Sequence, residues 1–345
     1  MGPSEERRLA AVPSLIADVG ATNMRLALVG AAGDVGRVLV LACEDHPSIQ
    51  RAIAAYLDHE LLPTESRRVQ AAALAVAGPV TDDQVTLTNH PWSFSINELR
   101  QHMAVDRLLV VNDFAAVALA MPELKPADRS QIGGGEAVSR APIGILGPGS
   151  GLGVSGLIPS PNGWLPLSGE GGHATMAPAT AREGAVLDRM RARFDHVSAE
   201  RLLSGPGLIE LYDTLAEIDG VPAVSYSSAQ ITDPGVCKGD PRCREAVDMF
   251  CAMLGTIAGN LALTLGARGG VYVAGGIVPK LGAAFAASSF RERFEDKGRL
   301  RPYLERIPTY VVTHPFPAFI GLAALLKHDE PESDTGVISA DAVRG

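Results

Sequence analysis

Short apolar runs separated by turns dominate the start of the chain. Residues 14–18, 24–29 and 37–42 are three such runs, and only a few turn residues lie between them. Apolar runs of four to eight residues bounded by turn residues are typical of buried strands. Three in succession predict an antiparallel meander.

The pattern then alternates helical and extended segments. We expect a helix over 47–62 and a buried strand over 71–77, which Gly78-Pro79 ends. Residues 107–111 predict another strand, which runs into Asn112-Asp113-Phe114 and an alanine-rich helix to about Met121. Strands alternating with helices in this way indicate an α/β protein.

The second half of the chain opens as the first half does. A strand over 143–146, a glycine turn over 147–153 and a returning strand over 154–158 match the order seen at 16–29. This similarity suggests an internal duplication and a boundary within the polar segment 122–140. The remaining predicted elements are a helix over 244–265, a strand over 270–274, a helix from Pro279, a strand over 310–313 and a helix over 316–327.

Composition and charge exclude several classes of protein. The chain has 345 residues, which suits two lobes of ordinary domain size. Its net charge of -9 argues against a nucleic-acid partner, which requires a basic face. The four cysteines fit free thiols in a reducing cytoplasm. No uninterrupted apolar stretch reaches 18 residues, so we expect no membrane span.

Two glycine-rich turns carry candidate phosphate chemistry. In Asp18-Val19-Gly20-Ala21-Thr22-Asn23, backbone amides and the Thr22 hydroxyl could hold a phosphate while Asp18 faces Mg²⁺ directly or through water. The second turn, 147–153, has glycine at every other position and lacks both the dinucleotide fingerprint and a Walker lysine. Each turn alone could be an ordinary hairpin. Their matching positions favour a two-sided phosphate clamp.

Asn112-Asp113 lies between a very apolar strand and a helix. A carboxylate at this position could take a proton from a bound hydroxyl group. The alternative is that Asp113 is the N-cap of the helix, a position that aspartate favours. One residue could fill both roles.

Three further groups of polar residues or glycines are candidates for ligand binding. Glu170 and His173 lie on a glycine-rich turn and could bind sugar hydroxyls, whereas zinc would need more ligands than this spacing supplies. Glu200 is predicted in the first turn of a helix after Ser198, where its charge would suit the helix dipole. Gly275-Gly276 follows a strand and could lie against a flat ring or a ribose, or could be a tight turn.

Taken in order, the motifs resemble those of a bacterial glucokinase of the hexokinase and actin-like superfamily, and the resemblance runs from about Leu15 to His328. The motifs are Asp-Val-Gly-Ala-Thr-Asn-Met-Arg-Leu-Ala-Leu (18–28), Thr-Asn-His-Pro-Trp-Ser-Phe-Ser (88–95), Val-Asn-Asp-Phe (111–114), Gly-Pro-Gly-Ser-Gly-Leu-Gly (147–153), Gly-Glu-Gly-Gly-His (169–173), His-Val-Ser-Ala-Glu-Arg-Leu-Leu-Ser-Gly-Pro-Gly-Leu (196–208), Ala-Gly-Gly-Ile-Val-Pro-Lys (274–280) and Phe-Glu-Asp-Lys-Gly-Arg (294–299).

The resemblance implies a two-lobed actin-like, ribonuclease H-like ATPase fold with a sugar and ATP cleft between the lobes. It implies a small lobe over 1–122 that a C-terminal helix at about 315–328 completes, a large lobe over 123–314, and a disordered tail over 329–345. The implied activity is ATP-dependent phosphorylation of D-glucose at O6, the entry step of glycolysis, in a cytoplasmic enzyme that commonly forms a homodimer. No nucleic-acid or membrane partner is expected.

The resemblance also assigns roles to residues. The implied glucose ligands are Asn112, Asp113, Glu170, His173 and Glu200, with Asp113 as the catalytic base. The implied ATP-binding residues are Ala17, Asp18, Val19, Gly20, Ala21, Thr22, Gly149, Ser150, Gly151, Gly275 and Gly276, with Mg²⁺ near Asp18.

Two positions depart from the family pattern. Ala21 stands where glycine is usual, so its methyl group would crowd a phosphate or restrict φ. Ser150 replaces the usual threonine and keeps the hydroxyl group.

Alternative functions are a kinase for mannose, fructose or an N-acetylhexosamine, a sugar-binding regulator without catalysis, and an actin-like ATPase that forms filaments. ADP or polyphosphate could replace ATP as the donor.

Overall fold

The computed structural model describes residues 12–30, 33–60, 69–88, 90–161 and 163–327. The chain packs as two compact units. The first contains the chain up to Glu123 together with the segment from Phe316 onward, and the second runs from Leu124 to Pro315. The tail predicted over 329–345 lies outside the described residues.

The described part of the first unit is built on a five-stranded sheet with the order β3-β2-β1-β4-β7. Strands β1, β2 and β3 are antiparallel neighbours, which confirms the predicted meander, and β4 and β7 continue the sheet in parallel with β1. The elements of this unit are β1 (Ser14–Val19), β2 (Asn23–Val29), β3 (Leu39–Ala42), α1 (Ile49–Glu60), β4 (Ala71–Val76), β5 (Gln84–Thr86), β6 (Ser93–Ser95), α2 (Ile96–Met103), β7 (Arg107–Asn112), α3 (Asp113–Ala120) and, near the chain end, α13 (Pro317–Lys327).

Helix α1 covers one face of this sheet because its apolar residues repeat at helical spacing. Ile49, Ala52, Ile53 and Tyr56 are all buried, and they pack with β1, β2 and β4 in one hydrophobic cluster. The predicted helix extended to residue 62, but residues 61 and 62 lie outside the described ranges. The core thus fixes β1 and β4, whose carboxyl ends carry the first glycine turn and Gly78.

Helices α3 and α13 pack against each other with very close backbones. Gly321 on α13 lies against the carbonyl oxygen of Ala116 on α3, where a side chain would overlap it. α3 is rich in alanine, and small residues on both helices permit this approach. Helix α13 therefore supports the helix that begins at Asp113.

In the described part of the second unit, a sheet has the order β11-β10-β9-β12-β13-β8. The first five strands repeat the order and directions of the first unit's sheet, with β8 added at the edge, as an internal duplication predicts. The elements are β8 (Arg129–Ile132), β9 (Ile143–Pro148), β10 (Leu152–Ser160), β11 (Gly163–Gly169), α4 (Ala181–Arg191), α5 (Gly205–Ile218), α6 (Ser228–Ile231), α7 (Pro234–Gly239), α8 (Pro241–Leu265), β12 (Val271–Val273), α9 (Val278–Leu281), α10 (Ala283–Ala286), α11 (Phe290–Glu295), α12 (Arg301–Glu305) and β13 (Thr309–Val312).

The long helix α8 is the centre of the second unit's core. Asp240 caps its N-terminus by accepting from the Arg242 amide, and Gly266 ends it with a φ of 60°. Among the described helices, α8 is long and apolar enough to cross a membrane by length and composition, but most of its apolar window is buried inside the unit. Its apolar character is that of a core helix.

Candidate active site

The carboxyl end of β1 carries Asp18, and the hairpin register places Arg25 directly opposite it on β2. The Arg25 guanidinium donates to Asp18 Oδ2 at 3.0 Å. Burial raises the pKa of Asp18, and the charge and hydrogen bond of Arg25 offset only part of that effect. Sequence reasoning missed Arg25 as a site residue, although the short turn after Val19 already predicts that 18 and 25 face each other.

Backbone hydrogen bonds hold the turn that follows β1 in place. The Gly20 amide donates to the Asn23 carbonyl at 3.0 Å, and the Thr22 carbonyl accepts from the Cys43 amide at 2.9 Å. Ala17 and Val19 are fully buried as whole residues, backbone included. Thr22 is exposed at the tip of the turn.

Ala21 needs no unusual backbone conformation. Among the described residues other than glycine, only Ala104 and Arg140 have a positive φ. Ala21 therefore adopts this turn without left-handed strain, because the backbone at position 21 does not enter that region. The crowding of a phosphate by this methyl group stays a prediction.

Asn112, at the end of β7, is the N-cap of α3. Its Oδ1 accepts from the amides of Phe114 at 2.9 Å and Ala115 at 3.2 Å, and its Nδ2 donates to the Gly78 carbonyl at 3.2 Å. The alternative that made Asp113 the cap is wrong, because the neighbouring amide side chain fills that role. Asn112 thus joins the end of β7 to the turn after β4.

Asp113 is the first residue of α3 and is partly buried. Its Oδ1 accepts from the Phe114 amide at 2.8 Å, which fixes the orientation of the carboxylate. A carboxylate at a helix N-terminus is stabilised in its charged form by the helix dipole. Asp113 thus presents an oriented carboxylate at the end of a buried strand.

In the second unit, the glycine turn between β9 and β10 is held at both ends. The Gly149 amide donates to the Gly151 carbonyl at 2.8 Å, and the Gly149 carbonyl accepts from the Gly205 amide at 2.8 Å. The Leu152 amide donates to Glu200 Oε2 at 2.8 Å. Among the hydrogen bonds described for this turn, the amides of Ser150 and Gly151 have no protein acceptor, and amides of this kind can bind phosphate oxygens.

Glu200 does not lie in a helix, contrary to the prediction. It follows Ser198 in a turn, whereas α5 begins at Gly205 with Ser204 as its cap. Its carboxylate binds a backbone amide 48 residues earlier in the chain, and its own amide donates to the Gly172 carbonyl at 2.8 Å. Long-range contacts of this kind, and not the helix dipole, position the side chain.

The second unit has a cavity of about 430 Å³ beside this turn. Three predicted site residues, Ser150, His173 and Glu200, line it together. His173 Nε2 lies 3.9 Å from Glu200 Oε1, and the His173 side chain is exposed. The remaining lining residues are Phe194, Ser198, Arg201, Ser204, Pro206, Gly207, Ile209 and Glu210.

Sequence reasoning missed Phe194 and Arg201 as lining residues. The Arg201 guanidinium carbon lies 4.4 Å from the centre of the Phe194 ring, so the two side chains stack. Arg201 follows Glu200 directly, which was a usable signal, whereas nothing in the sequence around Phe194 indicates a site.

Glu170 lies outside the set of residues described as lining the cavity, and its side chain is exposed. Its backbone pairs with Val154 on β10, and its carbonyl accepts from the His173 amide at 3.0 Å. Glu170 thus begins the short helical turn at Gly171–His173 that presents His173.

Gly275 and Gly276 follow β12, and Gly275 lies against the end of β9, where the second glycine turn begins. Gly275 has a φ of 84°, and a Cβ at this position would overlap the carbonyl oxygen of Pro148. Gly275 is therefore needed both for its conformation and for its contact with the end of β9. Gly276 is exposed, and a Cβ built on it would meet no atom within 4 Å.

The donors around Asp18 fit a magnesium ion that a nucleotide brings with it. Within the described ranges, no three His, Cys, Asp or Glu side chains converge as a metal cluster. Mg²⁺ in phosphate-transfer sites is usually held by one or two carboxylates, water and substrate phosphates, so one aspartate suffices. Because Arg25 occupies Asp18 Oδ2, water-mediated contact fits better than direct ligation.

A family model described as "Glucokinase" matches residues 15–329 of the chain. The chain is 51% identical to a glucokinase of Paramagnetospirillum magneticum over 313 residues, which cover 90% of this chain and 97% of that protein. It is 50% identical to a "Bifunctional protein glk" of Paraburkholderia xenovorans over 95% of this chain, and it spans about half, 51%, of that longer relative.

Among solved structures, a glucokinase from an Antarctic psychrotroph matches with a TM-score of 0.83 and 36% identity. The match covers 92% of this chain and 99% of that one. This likeness confirms the predicted actin-like sugar-kinase fold.

Proposed function

Because the chain belongs to the glucokinase family, we propose that it transfers the terminal phosphoryl group of ATP to O6 of D-glucose. The products are glucose 6-phosphate and ADP, and the reaction is the entry step of glycolysis. One observation carries the proposal: His173 and Glu200, which suit sugar hydroxyls, line the same cavity as Ser150 of the glycine turn. A sugar kinase needs hydroxyl recognition beside phosphate recognition.

Five side chains are the proposed glucose ligands: Asn112, Asp113, Glu170, His173 and Glu200. The carboxylates accept hydrogen bonds from hydroxyl groups, whereas the Asn112 amide and the His173 ring can also donate, each in defined directions. A sugar that lacks or inverts one hydroxyl would leave a polar group without its partner, and this penalty produces selectivity.

Asp113 is the proposed base of the phosphoryl transfer. The O6 hydroxyl gives its proton to the Asp113 carboxylate while the bond from O6 to the terminal phosphorus forms and the bond from that phosphorus to the ADP oxygen breaks. The Phe114 amide donates to Asp113 Oδ1 and so keeps the carboxylate oriented for this proton transfer. Phosphoryl transfer depends chiefly on such positioning and on stabilisation of charge.

The two glycine turns are the proposed phosphate ligands. In this proposal the backbone over 17–22, the Thr22 hydroxyl and the Gly149-Ser150-Gly151 turn bind the phosphates, and Gly275-Gly276 lies near the adenosine. Mg²⁺ would neutralise charge on the transferring phosphates, with Asp18 as its nearest protein group through water. The amides of Ser150 and Gly151 would donate to the transferred group.

We also propose that the protein is cytoplasmic and that it forms a homodimer. The low cysteine content supports a cytoplasmic protein, and the family resemblance supports a homodimer. Sedimentation analysis of the purified protein tests the dimer, since a monomer at micromolar concentration would contradict it.

The direct test is a coupled assay with MgATP and a panel of glucose, mannose, fructose and N-acetylglucosamine that follows both ADP release and sugar phosphate. Turnover on glucose above the other sugars is the expected result. Turnover confined to another hexose would keep the mechanism and reject the substrate. A folded protein without turnover on any of the sugars would reject the kinase activity with ATP.

A further inference from the structure

A single side chain connects the glycine turn at 149–151 with the turn that presents His173. The Glu200 amide donates to the Gly172 carbonyl at 2.8 Å, so its backbone is fixed to the histidine turn. Its Oε2 accepts from the Leu152 amide at 2.8 Å, directly after the glycine turn. Its other oxygen, Oε1, is the one that faces His173 Nε2, at 3.9 Å.

Gly151 shows how closely the carboxylate fits the turn. A Cβ on Gly151 would overlap Glu200 Oε2. The φ of Gly151 lies outside the left-handed region, so the observation that singles out this glycine is its contact with the Glu200 carboxylate. A movement of the Glu200 carboxylate would therefore also displace the peptide groups of residues 151 and 152, which contact it.

The two oxygens of Glu200 thus have separate tasks. Oε2 is committed to the Leu152 amide, a hydrogen bond strengthened by the charge of the carboxylate. Oε1 is directed toward His173 and the cavity, where a hydroxyl could reach it. About a third of the side chain is exposed, which leaves it accessible to a ligand.

We propose that Glu200 is a positioning residue for the phosphate-binding turn as well as a sugar ligand, and that it couples the binding of sugar to the binding of nucleotide. The proposal rests on the glucokinase function proposed above. A sugar hydroxyl on Oε1 restricts the carboxylate, and the restricted carboxylate holds the Leu152 amide and the turn in the form that binds phosphate. By linkage, nucleotide must then strengthen sugar binding by the same factor.

The test measures the dissociation constant of Mg·AMPPNP by calorimetry, with and without glucose, for the wild type, Glu200→Ala, Glu200→Gln and Glu217→Ala. Without sugar, we expect Glu200→Ala to weaken AMPPNP binding by about fivefold or more, the lower range of coupling between sites. Glu200→Gln should recover part of this loss, because its amide oxygen can still accept from Leu152. Glu217→Ala is the matched control: it removes a carboxylate of α5 that lies outside the site and pairs with the exposed Arg189 at 3.5 Å, so AMPPNP binding without glucose should not change.

Normal AMPPNP binding by sugar-free Glu200→Ala would overturn the proposal and leave Glu200 as a sugar ligand alone. Equal losses in Glu200→Ala and Glu200→Gln would also overturn it, because the hydrogen bond would not then be the link. If Glu200→Ala fails to fold, Glu200→Asp takes its place with the same expectation, since the shorter side chain keeps the charge but withdraws it from Leu152. Either of these two results would overturn only the role of Glu200 in coupling, because the wild type would still phosphorylate glucose. A wild type that binds neither glucose nor AMPPNP would reject the proposed function itself.

Discussion

Gly321 on α13 lies so close to the carbonyl oxygen of Ala116 on α3 that any side chain at position 321 would overlap it. α13 comes from the end of the chain, and α3 begins with Asp113, the proposed base. The contact therefore makes α13 part of the support for the proposed catalytic carboxylate.

Gly321→Ala should destabilise the protein by about 1–3 kcal/mol, the usual cost of inserting a methyl group into a packed interior. The matched control is Gly184→Ala in α4, where a Cβ would meet no atom within 4 Å. That change should stabilise the protein by about 0.5–1 kcal/mol, because alanine restricts the unfolded chain. Denaturant unfolding of both variants checks this pair, and equal stability of the two would contradict the close packing.

Asp113→Asn should lower kcat by about a hundredfold or more, the low end for loss of a general base. Asparagine keeps the size of the side chain and can still accept from the Phe114 amide, so the fold should persist. Steady-state kinetics with MgATP and glucose provide the measurement, and circular dichroism provides the control for folding. Near-normal turnover by the folded variant would remove Asp113 from the mechanism.

The strands were predictable wherever they are apolar and buried. β1, β4 and β9 are such runs, and their bounds agree with the prediction to within a few residues. β8 and β11 were missed, because Arg-Ser-Gln-Ile is largely polar and Gly-Trp-Leu-Pro-Leu-Ser-Gly contains glycine and proline. These strands lie at sheet edges, where burial does not impose an apolar pattern.

The order of motifs along the chain identified the family, but local patterns misassigned two side chains. At the start of α3, the alternative interpretation made Asp113 the N-cap, but Asn112, a residue type that also favours this position, takes the role. Glu200 was predicted to be helical because it follows Ser198, a possible N-cap, whereas the partners that position it, Leu152 and Gly172, are distant in sequence. Sequence periodicity reports neighbours along an element and carries no information on such contacts.

Arg25→Met should move the acid limb of activity to higher pH. Burial already raises the pKa of Asp18, and Arg25 counteracts part of that rise. Removing the guanidinium would raise the pKa of Asp18 further. Asp18 would then become protonated at a higher pH than in the wild type and would lose the negative charge that attracts Mg²⁺. The measurement is kcat/KM for MgATP as a function of pH at saturating glucose. An acid limb at the same pH in both proteins would assign that limb to another group.

Arg293→Met should destabilise the second unit strongly. The Arg293 guanidinium forms two hydrogen bonds to Glu183, at 2.6 and 3.2 Å, and the Glu183 side chain is only 3% exposed. Removing one partner leaves a buried charge without compensation, which typically costs about 3–5 kcal/mol. The double variant Glu183→Gln with Arg293→Met removes the charge as well and should recover part of the loss, as unfolding measurements at pH 7 would show.

Glu183 should also contribute to the loss of stability in acid. Burial alone would raise the pKa of Glu183, but the hydrogen bonds from Arg293 and the Ala179 amide, with the charge of Arg293, bring it below its ordinary value. A carboxyl group with a lowered pKa in the folded state stabilises the protein above its unfolded pKa of about 4.3, and this contribution disappears as the pH falls through the folded pKa. Glu183→Gln should therefore show a shallower decline of the unfolding free energy below about pH 4.3 than the wild type. An equally steep decline in both proteins would mean that other carboxyl groups control acid unfolding.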